Sequence, residues 1–240
     1  VDDARPTTTT PTPEPPRGPP AGPQLAPDAL ESTLTEAVAL VDAGQLTAAS
    51  ELLATCANKQ PASPRCDARL GMVLAGLRTR TPEARDFLDR GALRDDPRAD
   101  VEFYREFAKV ARRAGRHEAA AHALEWALQR PGAHLHDWIA LSEAWQAADG
   151  EVQHAIDALA HAIELAPDRA DLLLDHATLL AQTSSTADAI VAYERYLEVA
   201  EPSDPMAEVA RARIPRLREQ LAATGNDDES AGPPATETSP

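Results

Sequence analysis

Between residues 28 and 222 the apolar positions fall at helical spacing, and a longer rhythm runs over them. A small residue is followed four positions on by a large apolar one, three later by another small one, and about five beyond that by proline. The series reads Ala49, Leu53, Cys56, Pro61; Ala84, Leu88, Gly91, Pro97; Ala120, Leu124, Ala127, Pro131; Ala155, Leu159, Ala162, Pro167; and Ala189, Tyr193, Tyr196, Pro202. The leading alanines lie 35, 36, 35 and 34 residues apart, a period that no single helix of 3.6 residues per turn can produce. A small residue lets a neighbouring helix approach to about 8–10 Å while the large one fills the groove beside it. Proline then ends the helix, because the residue before it is pushed out of the helical region.

Each copy has a second helix upstream. Its pattern is clearest in Trp138, Leu141, Ser142 and Trp145, is mostly kept in Tyr104, Phe107, Ala108 and Ala111, and is reduced to Leu70, Gly71 and Leu74 in the second copy. Ala37 and Leu40 serve the first copy, and Leu173, Ala177 and Leu180 the fifth. Turns are predicted at Gly44-Gln45, Gly115-Arg116 and Gly150-Glu151. Over about residues 30–204 this resembles the tetratricopeptide repeat, whose first helix reads aromatic, Leu, small, aromatic at these spacings. The resemblance implies an all-α fold: an α-solenoid, a right-handed superhelix of five antiparallel helix pairs with a concave inner surface. Residues 205–222 would cap the last pair, with Val209, Ala212, Leu217 and Leu221 as the buried stripe and Pro215 as a point of splitting or kinking.

Composition limits what surrounds this domain. Residues 1–27 hold nine of the 21 prolines and the run Thr7–Thr10, so a disordered Thr/Pro-rich tether is expected there. An acidic disordered tail is expected over 223–240. The first residue is Val1; a Thr/Pro-rich leader of this kind points to export into the periplasm or cell envelope, as a spacer after an export signal or a lipid anchor upstream of Val1. Cytoplasmic residence is the alternative. No stretch of about 20 apolar residues is present to span a membrane. A formal charge of -16 opposes nucleic-acid binding, which needs cations to displace counterions from phosphate.

Candidate chemistry is sparse. The seven histidines accompany no recognisable nucleophile signature and no glycine-rich phosphate loop, so neither an enzyme nor a cofactor is expected. His134, His136 and Asp137 form a loop with metal-type side chains but without a further ligand cluster of usual spacing, and no metal is assigned. Cys56 and Cys66 stand either side of one turn: they form a disulfide in an oxidising compartment, or Cys56 is a small core residue and Cys66 a free thiol. Trp138 and Trp145 are expected in the core. Trp126 lies off the buried stripe and is either an exposed contact residue or partly buried against the following repeat.

Charge carries the functional expectation. Residues 28–64 sum to -4, residues 65–130 to +3 and residues 131–222 to -10. The repeat resemblance implies an inner surface built from the first helix of each pair. Its candidate lining is Arg105, Lys109, Arg112 and Arg113, then His136, Ile139 and Glu143, then Asp171, Leu174 and Asp175. That is a groove with a basic middle and an acidic C-terminal half, suited to a protein or peptide segment of complementary charge. The carboxylate-gripping co-chaperones of this family use inner-helix asparagines, whereas Asn58 and Asn226 are the only two in this sequence. The reading is therefore a non-enzymatic interaction scaffold assisting assembly of an envelope complex, with a cytosolic adaptor as the alternative.

Overall fold

The computed structural model describes residues 27–59, 63–77, 81–148 and 152–229, and every regular element among them is an α-helix. Five pairs follow one another: α1 (Pro27–Asp42) with α2 (Leu46–Lys59), α3 (Pro64–Gly76) with α4 (Thr81–Ala92), α5 (Val101–Arg113) with α6 (His117–Leu128), α7 (Leu135–Ala147) with α8 (Val152–Leu165), and α9 (Ala170–Leu180) with α10 (Thr186–Val199). A final helix, α11 (Pro205–Glu229), lies against α10. Repeats two and three join through α3 against α5 and α4 against α6. Elsewhere the second helix of one pair meets the first of the next. The predicted tether up to Ala26, Pro61, the predicted turn at Gly150-Glu151 and the predicted tail from residue 230 onward lie outside the described residues.

The repeated small and large positions are the core. All five leading alanines are at most 1% exposed, and Leu53, Leu88, Leu124, Leu159 and Tyr193 at most 3%. The turns at Gly44 and Gly115 share one construction. Each glycine has φ near +70° (74° and 71°). The amide after it donates to the carbonyl five residues back, Gln45 to Leu40 and Arg116 to Ala111, both at 2.8 Å. That closure satisfies helix-end carbonyls and requires the left-handed region that glycine enters without steric cost.

Cys56 and Cys66 form a disulfide with Cα atoms 6.0 Å apart, joining the end of α2 to the start of α3. Buried Arg65 reinforces this corner, donating from Nε to Asp96 at 2.7 Å and pairing with Glu31 of α1. Trp126 is half-buried, but against the preceding repeat: its indole N–H donates to the carbonyl of Ala92 at 3.2 Å. The direction follows from its place on α6, which packs on α4.

The cap differs from its sequence reading in three respects. Its buried stripe is Ala207, Ala210, Ile214 and Leu217, while Val209 and Leu221 are 40% and 41% exposed and Ala212 is exposed. Both stripes have helical spacing; contact with α10 selects between them. Helix α11 is not split at Pro215. It continues to Glu229, seven residues past the expected boundary, since each added residue of a formed helix gains a hydrogen bond without a new nucleus.

Candidate functional site: the face of the first helices

Helix α5 builds the centre of this face. Asp100 caps it by accepting the Phe103 amide at 2.8 Å. Burial of Phe103, Tyr104, Phe107, Ala108 and Ala111 leaves Arg105, Lys109 and Arg112 on the opposite side, four and three residues apart, with Arg113 beside them. The structure brings all four together around a concavity of about 530 Å3, between α5 and α7, with His117 of α6 at its edge. Arg113 also lines a neighbouring concavity of about 340 Å3 with Met72, Gly76 and Val110. Those last three continue into a third of about 290 Å3, against Val38, Val41 and Leu46. Shared walls make the three one trough across α1, α3, α5 and α7, mainly apolar at its N-terminal end, where Asp42, Arg69 and Glu106 stand among the apolar groups, and basic at its C-terminal end.

The basic residues do not play equal parts. Arg105 is a structural clip: Nε and Nη2 each donate to the Asp137 carboxylate at 2.7 Å, Nη2 also donates to the Gly132 carbonyl at 2.9 Å, and Glu102 pairs with Nη1. Burial pushes the Asp137 carboxyl up, but the Arg105 guanidinium and the His134 amide, which donates to it at 2.8 Å, hold it below the ordinary carboxylate value. Arg105 therefore positions α7 and is not available to a partner. The group expected as a loop is instead the start of α7, with His134 as its N-cap and His136 and Asp137 in its first turn; its carboxylate is committed in the same way, and the two imidazoles lie edge to face with centroids 5.5 Å apart. Among the described residues no group of three His, Cys, Asp or Glu side chains could hold a metal ion.

Arg112 bridges to Glu143 of α7 at 2.9 Å, so the basic middle and the acidic half partly neutralise each other where they meet. Lys109 and Arg113 have no ion pair among the described residues and are exposed. On α9, Asp171 accepts from Arg169 at 2.7 Å. Burial first, then the charges of Asp171 and Glu143, pushes the Asp175 carboxyl up. His136 is exposed, whereas Ile139 and Leu174 are half-buried against the core. Sequence reasoning missed the apolar end and Arg69, whose buried Nε has no hydrogen-bond partner and whose guanidinium lies 5.0 Å from the Phe103 ring centroid. The one available signal was an unexplained apolar set, Val38, Val41 and Met72, on helix faces away from the repeat's core positions.

A period near 34 residues, one antiparallel helix pair per period, and four buried copies of the same small–large–small pattern with a fifth that ends in Tyr196 are now in place. The fold is that of a tetratricopeptide-repeat protein. No protein-family model matches the chain. No curated protein matches it either. Similar solved structures are themselves helical-repeat proteins. YrrB, described as a TPR protein with an unusual peptide-binding site, is 14% identical, with 75% of this chain and 90% of that chain covered at a TM-score of 0.46. The C-terminal part of a TPR repeat-containing protein from Cytophaga hutchinsonii is 15% identical, with 78% and 72% covered and a TM-score of 0.44. MamA from Desulfovibrio magneticus RS-1 is 16% identical, with 73% and 97% covered and a TM-score of 0.39. Among the described residues no helix is long and apolar enough to cross a membrane.

Proposed function

We propose that this protein is a non-enzymatic interaction scaffold that holds a segment of a protein partner along the first-helix face, in the envelope, during assembly of a larger complex. The observation that carries the reading is the trough's division of labour: Arg105 and Arg112 are tied to neighbouring carboxylates, while Lys109 and Arg113 face the same concavity with no ion pair among the described residues. Next to them runs an apolar floor. A segment with apolar residues followed by acidic ones would bury the former and pair the latter.

The test is selection from a displayed random-peptide library on the full chain. Enrichment of apolar–acidic peptides, weakened at least about ten-fold by high salt and lost in the Lys109→Glu, Arg113→Glu double variant at unchanged melting temperature, is the expected result. Selected peptides without acidic residues, or binding indifferent to both changes, would overturn it. Export is supported by the Cys56–Cys66 bridge, since disulfides persist mainly in oxidising compartments. Mass measurement on native material, before and after reduction, checks it: free thiols in the isolated protein would favour the cytosol.

A further inference from the structure

The repeat supplies an internal comparison on the opposite face, where the second helices lie. Between α6 and α8 a cleft of about 360 Å3 has Trp138, Leu141 and Trp145 of α7 as its floor. The matching cleft between α8 and α10 holds about 600 Å3, and its floor is Leu173, His176 and Leu180 of α9. Each floor residue stands 35 positions after its counterpart. The same site thus occurs twice. In the fourth repeat two indole rings narrow it to about 360 Å3; in the fifth, buried leucines replace both and it is wider, at about 600 Å3.

The walls also correspond, at an offset of 34. His161 stacks on Trp138 with centroids 4.4 Å apart, and its counterpart is Arg195. His154 lies 4.8 Å from Trp145, centroid to centroid, and its counterpart is Asp188. Asp157 is replaced by Val191, which is 64% exposed. The wider cleft therefore has an apolar floor and wall, and a cation where the narrower copy has a ring stacked on indole. A carboxylate stands at the rim within the same lining.

We propose that the cleft between α8 and α10 is a second docking site, which accepts an aromatic side chain, best an indole, from a partner protein. The ring would take the place that Trp138 and Trp145 fill one repeat earlier. It would bury against exposed Val191, above Leu173 and Leu180, which the core already covers, with Arg195 on its face and the Asp188 carboxylate as acceptor for an indole N–H. Burial first, then the charge of Arg195, holds the His176 imidazole below its ordinary value, so that the floor is uncharged at neutral pH. All nine aromatic residues lie within the folded helices, so neither tail of this sequence can supply the ring.

The experiment titrates N-acetyl-tryptophanamide into the full chain, with the His176 ring signals followed by NMR and N-acetyl-cyclohexylalaninamide as the aliphatic control. Saturable shifts are expected for the indole probe, roughly ten-fold weaker for the control once stacking is lost. Leu173→Trp should close the cleft from within and abolish the response. Val191→Asp, at an exposed position that need not disturb folding, should weaken it roughly ten-fold by charging the wall, and Arg195→Met should weaken it less. Unmoved His176 signals, equal response to both probes, or binding unchanged by Val191→Asp would each overturn the proposal.

Discussion

A methyl group added at Gly91 would come within 2.6 Å of the Ala68 Cα and 2.7 Å of its backbone nitrogen. Neither atom belongs to a flexible side chain, so helices α3 and α4 would have to move apart. Gly91→Ala is predicted to destabilise the protein by about 1–3 kcal/mol, read as a lower midpoint in urea unfolding with an unchanged slope. The sequence marked Gly91 as the small position of the second repeat without saying how small. Alanine serves at Ala127 and Ala162, both 0% exposed, whereas the α3–α4 approach excludes even a methyl. The fifth copy goes the other way. Tyr196 occupies the small position at 0% exposure, and its hydroxyl donates to Asp204 at 2.7 Å. The next element is the cap, whose own buried alanines supply the small residues.

Among elements, two ion pairs join α5 to α7, and the one with the buried carboxylate is Arg105–Asp137. The Asp137 side chain is 4% exposed and accepts from Arg105 and from the His134 amide. Because its folded carboxyl lies below the ordinary value of 3.8, its contribution is complete above that value and is lost as pH falls through the lower folded one. Asp137→Asn should cost about 1–3 kcal/mol at neutral pH. Its difference from the wild type should shrink as unfolding is measured at successively lower pH, below 3.8. A difference that stays constant through that range would mean that shape, not charge, makes the contact. None of this could be read along the chain. Arg105 looked like Lys109 and Arg112, all on one face of one helix, and only the partner helix distinguishes a clip from an available cation.

At the scale of the molecule, the stack needs an end. Tyr193 and Tyr196 are 1% and 0% exposed, and α11 covers α10. Deleting residues 205–229 should therefore expose a large apolar face and produce insoluble or poorly folded protein, since terminal repeats require a polar outer cap. Deletion after Ala222 removes a segment that begins with exposed Ala223 and should shift stability by no more than about 0.5 kcal/mol. Circular dichroism melts of the two truncations, compared side by side, check both outcomes.

The amino-acid sequence by itself determined the helices, their pairing, the period and the buried positions, because these depend on spacing within one segment: small beside large, proline after each second helix, glycine at the turns. The tertiary structure alone decided which helix face the cap buries, which arginine is held by a carboxylate, and that the same cleft is narrow in one repeat and wide in the next. Those outcomes depend on groups on different helices, from Arg213 and Tyr193 (20 residues apart) to Arg105 and Asp137 (32 residues), and local periodicity holds no information about which of two equally amphipathic faces a neighbour will meet.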